Sequence, residues 1–191
     1  MKIPFLSLLL CVLVPPVWLS PAPAWSAGAS KASIPTKSAP AAQSAMFGMW
    51  ATHSLDEKGG TTCYMSLRPI KPAPWKVKGK RRGSTYVMIT HRPVEGSLNV
   101  VSVTAGYTFK SGSEAIIQFD SKKDMRLFTE GDTAWTRDSA ADRDLAKLVR
   151  TSKTMTIKGH SIHGDILSDS YDLTGAMAAW KSISKRCGVK E

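Results

Sequence analysis

Short runs in which apolar and polar residues alternate, separated by turn-forming residues, dominate the chain from residue 46 onward. Alternation with a period of two is typical of strands that bury one face, and these runs are rich in β-branched and aromatic residues. They predict four hairpins, whose turns contain Gly, Pro or charged residues. The predicted pairs are "FGMWATHSL" with "TTCYMSL", "TYVMITHR" with "LNVVSVTAGYTF", "EAIIQF" with "MRLFTE", and "TMTIKGHSI" with "ILSDSYDL".

Two segments have a helical pattern instead. In "SAADRDLAKLVRT", Ser139 and Asp142 predict a capping box at the start of a helix. Its predicted apolar face consists of Ala141, Leu145, Leu148 and Val149. The last segment, "TGAMAAWKSISKRCG", predicts a helix capped by Thr174 and ended at Gly188. Its predicted buried residues are Met177, Trp180 and Ile183. Together these patterns predict a mainly β fold, an antiparallel β-sandwich or open barrel with two short α-helices.

The first residues have the layout of a secretory signal peptide. Lys2 provides a basic start, residues 3–14 are almost entirely apolar, and Ala22-Pro23-Ala24 fits a small-x-small cleavage site. Cleavage after Ser26 is the alternative. The apolar run is shorter than the ~20 residues that cross a bilayer, so residues 1–24 are predicted to be removed and no transmembrane span is expected afterwards.

The composition changes again after the predicted cleavage site. Residues 25–45 consist mainly of Ser, Ala, Pro and Lys, with almost nothing to bury, and predict a flexible arm. Residues 46–191 have the length and aromatic content of a single β-rich domain. The formal net charge of +11 falls to +10 when the signal peptide, which carries Lys2, is removed.

Export also changes how the cysteines are interpreted. Cleavage removes Cys11 and leaves Cys63 and Cys187, which lie 124 positions apart. In an oxidising compartment two remaining cysteines tend to pair, and closing a loop of this length contributes about 5 kcal/mol in the chain-entropy treatment. A catalytic thiol would need a nearby His base, and the spacing is unlike the CxxC of metal and redox sites. The sequence therefore predicts a Cys63–Cys187 disulfide that fastens the end of the last helix to an early strand.

One loop is unusually basic. In an extended chain its alternating lysines would share one face, where they could bind phosphates or other anions of an envelope polymer. The alternative is a solvated loop whose charges prevent edge-to-edge aggregation. The candidate anion-binding residues are Trp75, Lys76, Lys78, Lys80, Arg81 and Arg82. Charge alone does not indicate a specific nucleic acid, and we predict none.

Catalytic and metal-binding patterns are weak. His160 and His163 form an HxxH without the HExxH context of zinc enzymes, while His91 and Asp132 provide groups suited to acid–base chemistry. No glycine-rich phosphate loop is present. We therefore predict no cofactor, no bound metal and no enzymatic activity. A small periplasmic hydrolase is the alternative.

Five phrases in this order carry a resemblance: "CYMSLRP", "GSTYVMITHRP", "NVVSVTAGYTFKSGSE", "LFTEGDTAWTRD" and "CGVK". Together they resemble the invasion-associated locus B family of exported bacterial proteins, over essentially the whole predicted domain. The resemblance implies a periplasmic or envelope-associated protein without established enzymatic activity, and some members of the family are linked to entry into host cells. The basic loop is longer and more charged than the resemblance would lead us to expect.

These observations predict an exported periplasmic, secreted or envelope-associated protein that is not an enzyme and serves as an interaction or accessory module. Its partner would be an unidentified protein or an anionic envelope polymer. The two alternatives are a binder of anionic polymers through residues 75–82 and the small hydrolase.

Overall fold

The structure is a computed structural model that describes residues 43–57, 59–74, 76–77, 79–120 and 123–190. In this part of the chain there are twelve strands and two helices, so the predicted mainly β fold with two short helices is confirmed. The strands are β1 (Gln43–Phe47), β2 (Trp50–Glu57), β3 (Gly60–Leu67), β4 (Lys76–Val77), β5 (Lys80–Arg81), β6 (Tyr86–Arg92), β7 (Ser97–Thr104), β8 (Glu114–Phe119), β9 (Asp124–Glu130), β10 (Thr133–Trp135), β11 (Thr154–His160) and β12 (Ile166–Asp172). The helices are α1 (Ser139–Thr151) and α2 (Ala176–Arg186).

Ten strands form one antiparallel sheet in the order β1-β2-β3-β6-β7-β10-β9-β8-β11-β12, and β4 pairs only with β5. All four predicted hairpins are present, as β2–β3, β6–β7, β8–β9 and β11–β12. The two ends of the sheet do not pair with each other, so it is open. The segment after β3 lies against the far edge, where the backbone of Lys71 bridges to Ser170 of β12. The sheet therefore curves back on itself without closing, and the other edge, β1, has no strand beside it among the described residues.

Buried and exposed side chains alternate along the strands, and the buried ones form the core. In β3 the side chains of Cys63, Met65 and Leu67 point inward and are buried, while the residues between them are partly exposed. Both helices cover strands of this sheet, with α1 on β7 and α2 on β2 and β3. Each fully buried large apolar side chain contributes about 1.5–3 kcal/mol, so this cluster supplies the main driving force for folding.

The start of the domain differs from the prediction. Residues 43–45, assigned to the flexible arm, lie in β1 and pair with β2, whereas residues 25–42 and the predicted signal peptide lie outside the described residues. The apolar run "FGMWATHSL" is also not one strand, because Gly48 adopts a positive φ of 61° and turns the chain between Phe47 and Trp50. The pattern did not reveal β1 because it is held by backbone pairing and its described side chains are largely exposed.

The start of α1 also differs from the predicted capping box. The N-cap is Asp138, whose carboxylate accepts a hydrogen bond from the backbone N–H of Ala141 at 2.8 Å. Asp142 has another role: its Oδ1 accepts hydrogen bonds from the N–H of Val101 (2.9 Å) and the hydroxyl of Thr136 (2.7 Å). The predicted N3 acid therefore bonds the first turn of the helix to β7 rather than capping it.

In α2 the predicted cap is wrong. Gly175, with a φ of 93°, is the N-cap, and a Cβ there would lie 2.4 Å from the carbonyl oxygen of Phe47. The close approach of β1 therefore requires glycine, which displaces Thr174 from the cap position. Trp180 and Ile183 are buried as predicted, but Met177 is 40% exposed.

The predicted disulfide is present. Cys63 and Cys187 are joined across 124 residues, with their Cα atoms 6.0 Å apart, and Cys63 is completely buried. Cys187 is the C-cap of α2, so the bond fastens the end of this helix to the third strand. Among the described residues, no helix is long and apolar enough to cross a membrane.

Removing the disulfide is expected to destabilise the domain strongly. The double variant Cys63→Ala/Cys187→Ala should have a free energy of unfolding lower by about 3–5 kcal/mol, because its unfolded chain is no longer restricted by the cross-link. Denaturant unfolding with and without dithiothreitol measures this. Reductant should lower the stability of the wild type to that of the variant and leave the variant unchanged. A wild-type midpoint insensitive to reductant would contradict the expectation.

Candidate functional site

His91, a candidate for acid–base chemistry, lies near the end of β6 and is completely buried. Its Nδ1 accepts a hydrogen bond from the backbone N–H of Asn99 at 3.1 Å. This contact assigns the proton of the neutral ring to Nε2, which lies 3.2 Å from Ser184 Oγ and donates to it. In strand register His91 is opposite Cys63, so the imidazole lies beside the strand that carries the disulfide.

The surroundings of His91 favour its neutral form. Burial, and secondarily the positive charge of Arg150, lower the pKa of His91 from 6.5 to about 4. The guanidinium of Arg150 lies 3.9 Å from the ring centroid of Trp180, whose indole N–H donates to Asn99 Oδ1 at 2.7 Å. These contacts join β6, β7 and both helices. His91 therefore acts as a buried packing and hydrogen-bonding residue without access to substrate.

The fold does not bring His91 together with Asp132. Across the sheet, Tyr86 pairs with Thr104, and Thr104 pairs with Thr133, the residue next to Asp132. His91 lies five residues further along the same strand as Tyr86, a distance of roughly 16 Å. Asp132 itself is exposed and accepts a hydrogen bond from Thr133. The two residues therefore occupy separate parts of the sheet.

The HxxH residues lie at the turn that joins β11 to β12. His160 is the last residue of β11, and His163 lies in the turn itself. Both side chains are exposed. Within the described ranges, no group of three or more His, Cys, Asp or Glu side chains is arranged to hold a metal ion.

The basic loop forms a small hairpin rather than one extended stripe. Lys76 pairs with Arg81, and Val77 pairs with Lys80. The single extended segment on which the shared face of the lysines depends is not formed, because the chain reverses direction between β4 and β5 and buries Val77. The side chains of Lys76 and Arg81 lie on the same face and are exposed. Trp75 and Lys78, together with the side chain of Lys80, lie outside the described part.

Arg82 must be removed from the predicted anion-binding set. Its guanidinium is buried and forms a two-pronged ion pair with Asp169 of β12, with Nη1 2.8 Å from Oδ1 and Nη2 bonded to Oδ2. Its Nε donates to the carbonyl of Ala105 at 2.7 Å. Burying this charge is favourable only because a carboxylate and carbonyls compensate it, so these donors are not available to an external anion.

The sequence contains a signal for the Arg82–Asp169 pair that the predicted anion-binding set does not take into account. In β12 the inward positions are Leu167, Asp169 and Tyr171, and an aspartate in the apolar phase of an alternating strand requires a buried partner. His91 follows Val87 and Ile89 in the same phase of β6. Polar residues at such positions indicate buried structural contacts.

The exposed cations near the hairpin are grouped. Arg68 and Arg81 line one open cleft with a volume of about 650 Å³, which also contacts Pro69 and Pro72. Arg81 additionally borders a smaller cleft of about 210 Å³. This basic end of the sheet is the candidate functional site that the geometry supports best.

Together, the fold and the site define an antiparallel, disulfide-linked β domain whose described catalytic candidates are dispersed and whose distinctive surface is basic. The sequence model described as "Invasion associated locus B (IalB) protein" matches residues 50–184. The chain therefore belongs to the invasion associated locus B family.

One solved structure is similar, the crystal structure of invasion associated protein b from Bartonella henselae. It aligns with a TM-score of 0.49 at 14% identity, over 75% of this chain and 98% of that chain. No match was found among curated proteins.

The buried His91 is expected to make stability depend on pH. Because its pKa is about 4 in the folded protein and about 6.5 when unfolded, its contribution is complete above about pH 6.5 and is lost as the pH falls toward 4. The wild type should lose about 3 kcal/mol more than His91→Gln between pH 7 and about pH 4. Denaturant unfolding at several pH values measures this difference. The exposed control His160→Gln should follow the wild type, and identical pH profiles for wild type and His91→Gln would contradict the assignment.

Proposed function

We propose that the mature protein is exported to the periplasm or envelope and acts there by contact with a partner, without turnover. The observation that carries the proposal is the disulfide between Cys63 and Cys187 in a chain whose first residues have a secretory layout. Structural disulfides persist in oxidising compartments and are rare in the cytosol. Membership of a family of this type supports the same location.

The contact role is supported by the structural contacts that the candidate reactive side chains make. His91 is buried in a hydrogen-bonded cluster, and Arg82 is neutralised by Asp169. Arg137, another polar residue of the family-like phrases, bonds Glu114 at the surface. His91 and Arg82 are therefore used inside the fold and Arg137 bonds Glu114, whereas Arg68 and Arg81 are exposed and line one cleft.

Export is tested with the full chain in a Gram-negative host. After fractionation, the protein should be periplasmic or envelope-associated, shorter by the predicted signal peptide, and without free thiol until reduced. The control Leu8→Arg/Leu9→Arg interrupts the apolar run and should retain the protein in the cytosol with thiols that react with maleimide. Wild-type protein in the cytosol with both thiols free would contradict export. Turnover of envelope substrates that is abolished by His91→Gln or Asp132→Asn would contradict the contact role.

A second candidate function is binding of anionic envelope polymers through the basic hairpin. The favouring observation is that Lys76 and Arg81 pair across the hairpin and are both exposed, with Arg68 lining the same cleft as Arg81. Neighbouring cations on one face attract polyanions more strongly than dispersed cations do.

Removing these charges tests the second candidate. Lys76→Gln/Arg81→Gln should weaken binding to immobilised heparin, used as a model polyanion, and reduce the salt dependence by about one unit of log–log slope per cation. The matched control Arg143→Gln/Lys147→Gln removes two exposed charges from α1. Equal weakening in both variants would show that only net charge matters.

A further inference from the structure

Two segments far apart in the sequence form one narrow cleft. One wall is the hairpin of β4 and β5, and the other is the turn between β11 and β12, with residues 106–108 between them. The cleft has a volume of about 210 Å³. Arg81 of the hairpin and His163 of the turn both line it, so the fold joins the basic loop to one histidine of the HxxH pattern. The remaining lining residues are Val77, Arg82, Gly106, Tyr107, Thr108, Ser161 and Ile162.

The buried part of the cleft lining is electrically compensated. Arg82 is paired with Asp169 and lies 5.2 Å from the ring centroid of Tyr107. Burial raises the pKa of Tyr107 to about 12, so its phenol keeps its proton. None of the described lining residues is acidic, and the acid of the neighbouring turn, Asp165, accepts a hydrogen bond from Ser161. An anion entering the cleft therefore meets cationic and neutral donors.

The segment that contains the hairpin carries charge of one sign. Residues 68–85 contain seven basic residues and no Asp or Glu. The basic residues are Arg68, Lys71, Lys76, Lys78, Lys80, Arg81 and Arg82. Of these, Arg82 is neutralised internally by Asp169. A local excess of this kind attracts an anionic surface at long range and orients the protein toward it.

Two exposed isoleucines, called here the apolar rim, belong to the β11–β12 turn and the strand that follows it, and Ile162 lines the cleft. Ile162 is 60% exposed in the β11–β12 turn, and Ile166, the first residue of β12, is 69% exposed. Neither side chain belongs to the core, and Ile162 lines the same cleft as Arg81. A small soluble anion would contact the cations alone, whereas a lipid surface supplies phosphates for the cations and an apolar layer for the isoleucines. The combination of exposed aliphatic and cationic side chains therefore favours a membrane surface.

We propose that this end of the domain docks on phosphate-bearing lipid headgroups, with Arg81 and His163 contacting phosphate and Ile162 and Ile166 entering the interface. The proposal rests on the envelope location proposed above, where anionic lipid is available. It differs from polyanion binding by requiring the apolar rim as well as the charges.

Vesicle sedimentation of the purified mature protein tests the proposal. The wild type should bind vesicles containing phosphatidylglycerol and bind pure phosphatidylcholine vesicles weakly. Arg81→Gln should lower the partition coefficient about fivefold, as expected for one cation near an anionic membrane. Ile162→Ser should lower it by about as much or more, because an aliphatic side chain no longer leaves water. Both positions are exposed, and circular dichroism and the unfolding midpoint verify that the variants fold.

Two control variants show whether vesicle binding depends on the residues at the cleft or only on the protein's total charge and apolar surface. Arg143→Gln removes an exposed charge from α1, and Val94→Ser removes an aliphatic side chain that is 73% exposed elsewhere. Both should bind vesicles like the wild type. Equal losses in Arg81→Gln and Arg143→Gln, or no loss in Ile162→Ser, would overturn lipid docking. Competition by inorganic phosphate with no effect of Ile162→Ser would assign the cleft to a free anion instead. Correct export with failed vesicle binding would leave the proposed function standing and remove only this inference.

Discussion

The buried ion pair between Arg82 and Asp169 determines how the two halves of the sheet meet. Asp169 belongs to the last strand, and its Oδ1 also accepts the backbone N–H of Ala73 at 2.7 Å. The guanidinium in turn donates to the carbonyl of Ala105, the residue that follows β7. One carboxylate therefore holds the segment after β3, the basic hairpin and the central strands against β12. Such a pair is stabilising only with all partners in place, so it enforces one arrangement of these segments.

The disulfide acts at a different place and by a different physical effect. It restricts the unfolded chain and fixes the end of α2 to β3, whereas the ion pair selects a geometry within the folded chain. A third set of contacts, the cluster of His91, Asn99 and Trp180, joins the helices to the sheet. In the hairpin, Val77 and Arg82 are buried in the fold, whereas Arg81 is exposed. Arg81 is thus held by a fixed neighbour while its own side chain remains exposed.

Much of the fold was predictable because buried positions are mostly apolar and exposed positions mostly polar, so the sequence shows the alternation of burial along each strand. The hairpins and both helices follow from it, and the disulfide was predicted from the number of cysteines and the predicted signal peptide. The short strands β1, β4, β5 and β10 were not predicted, because backbone pairing rather than a long alternating pattern defines them. Arg81 and Arg82 show why the candidate site was only partly predictable. They are chemically alike and adjacent, and only the register of the hairpin and the distant Asp169 decide which one faces water.

The two edges of the large sheet are unequal, and this affects where the backbone of a second molecule could pair with an edge strand. The backbone at Ile70 and Lys71 occupies hydrogen-bonding groups of Ser170 on the β12 edge. In the described part of the chain, no strand lies beside β1 at the opposite edge, and Met46 is exposed on it. The short bridge at Ser170 therefore blocks strand addition at one point of the β12 edge, which is one of the ways in which proteins protect an edge strand.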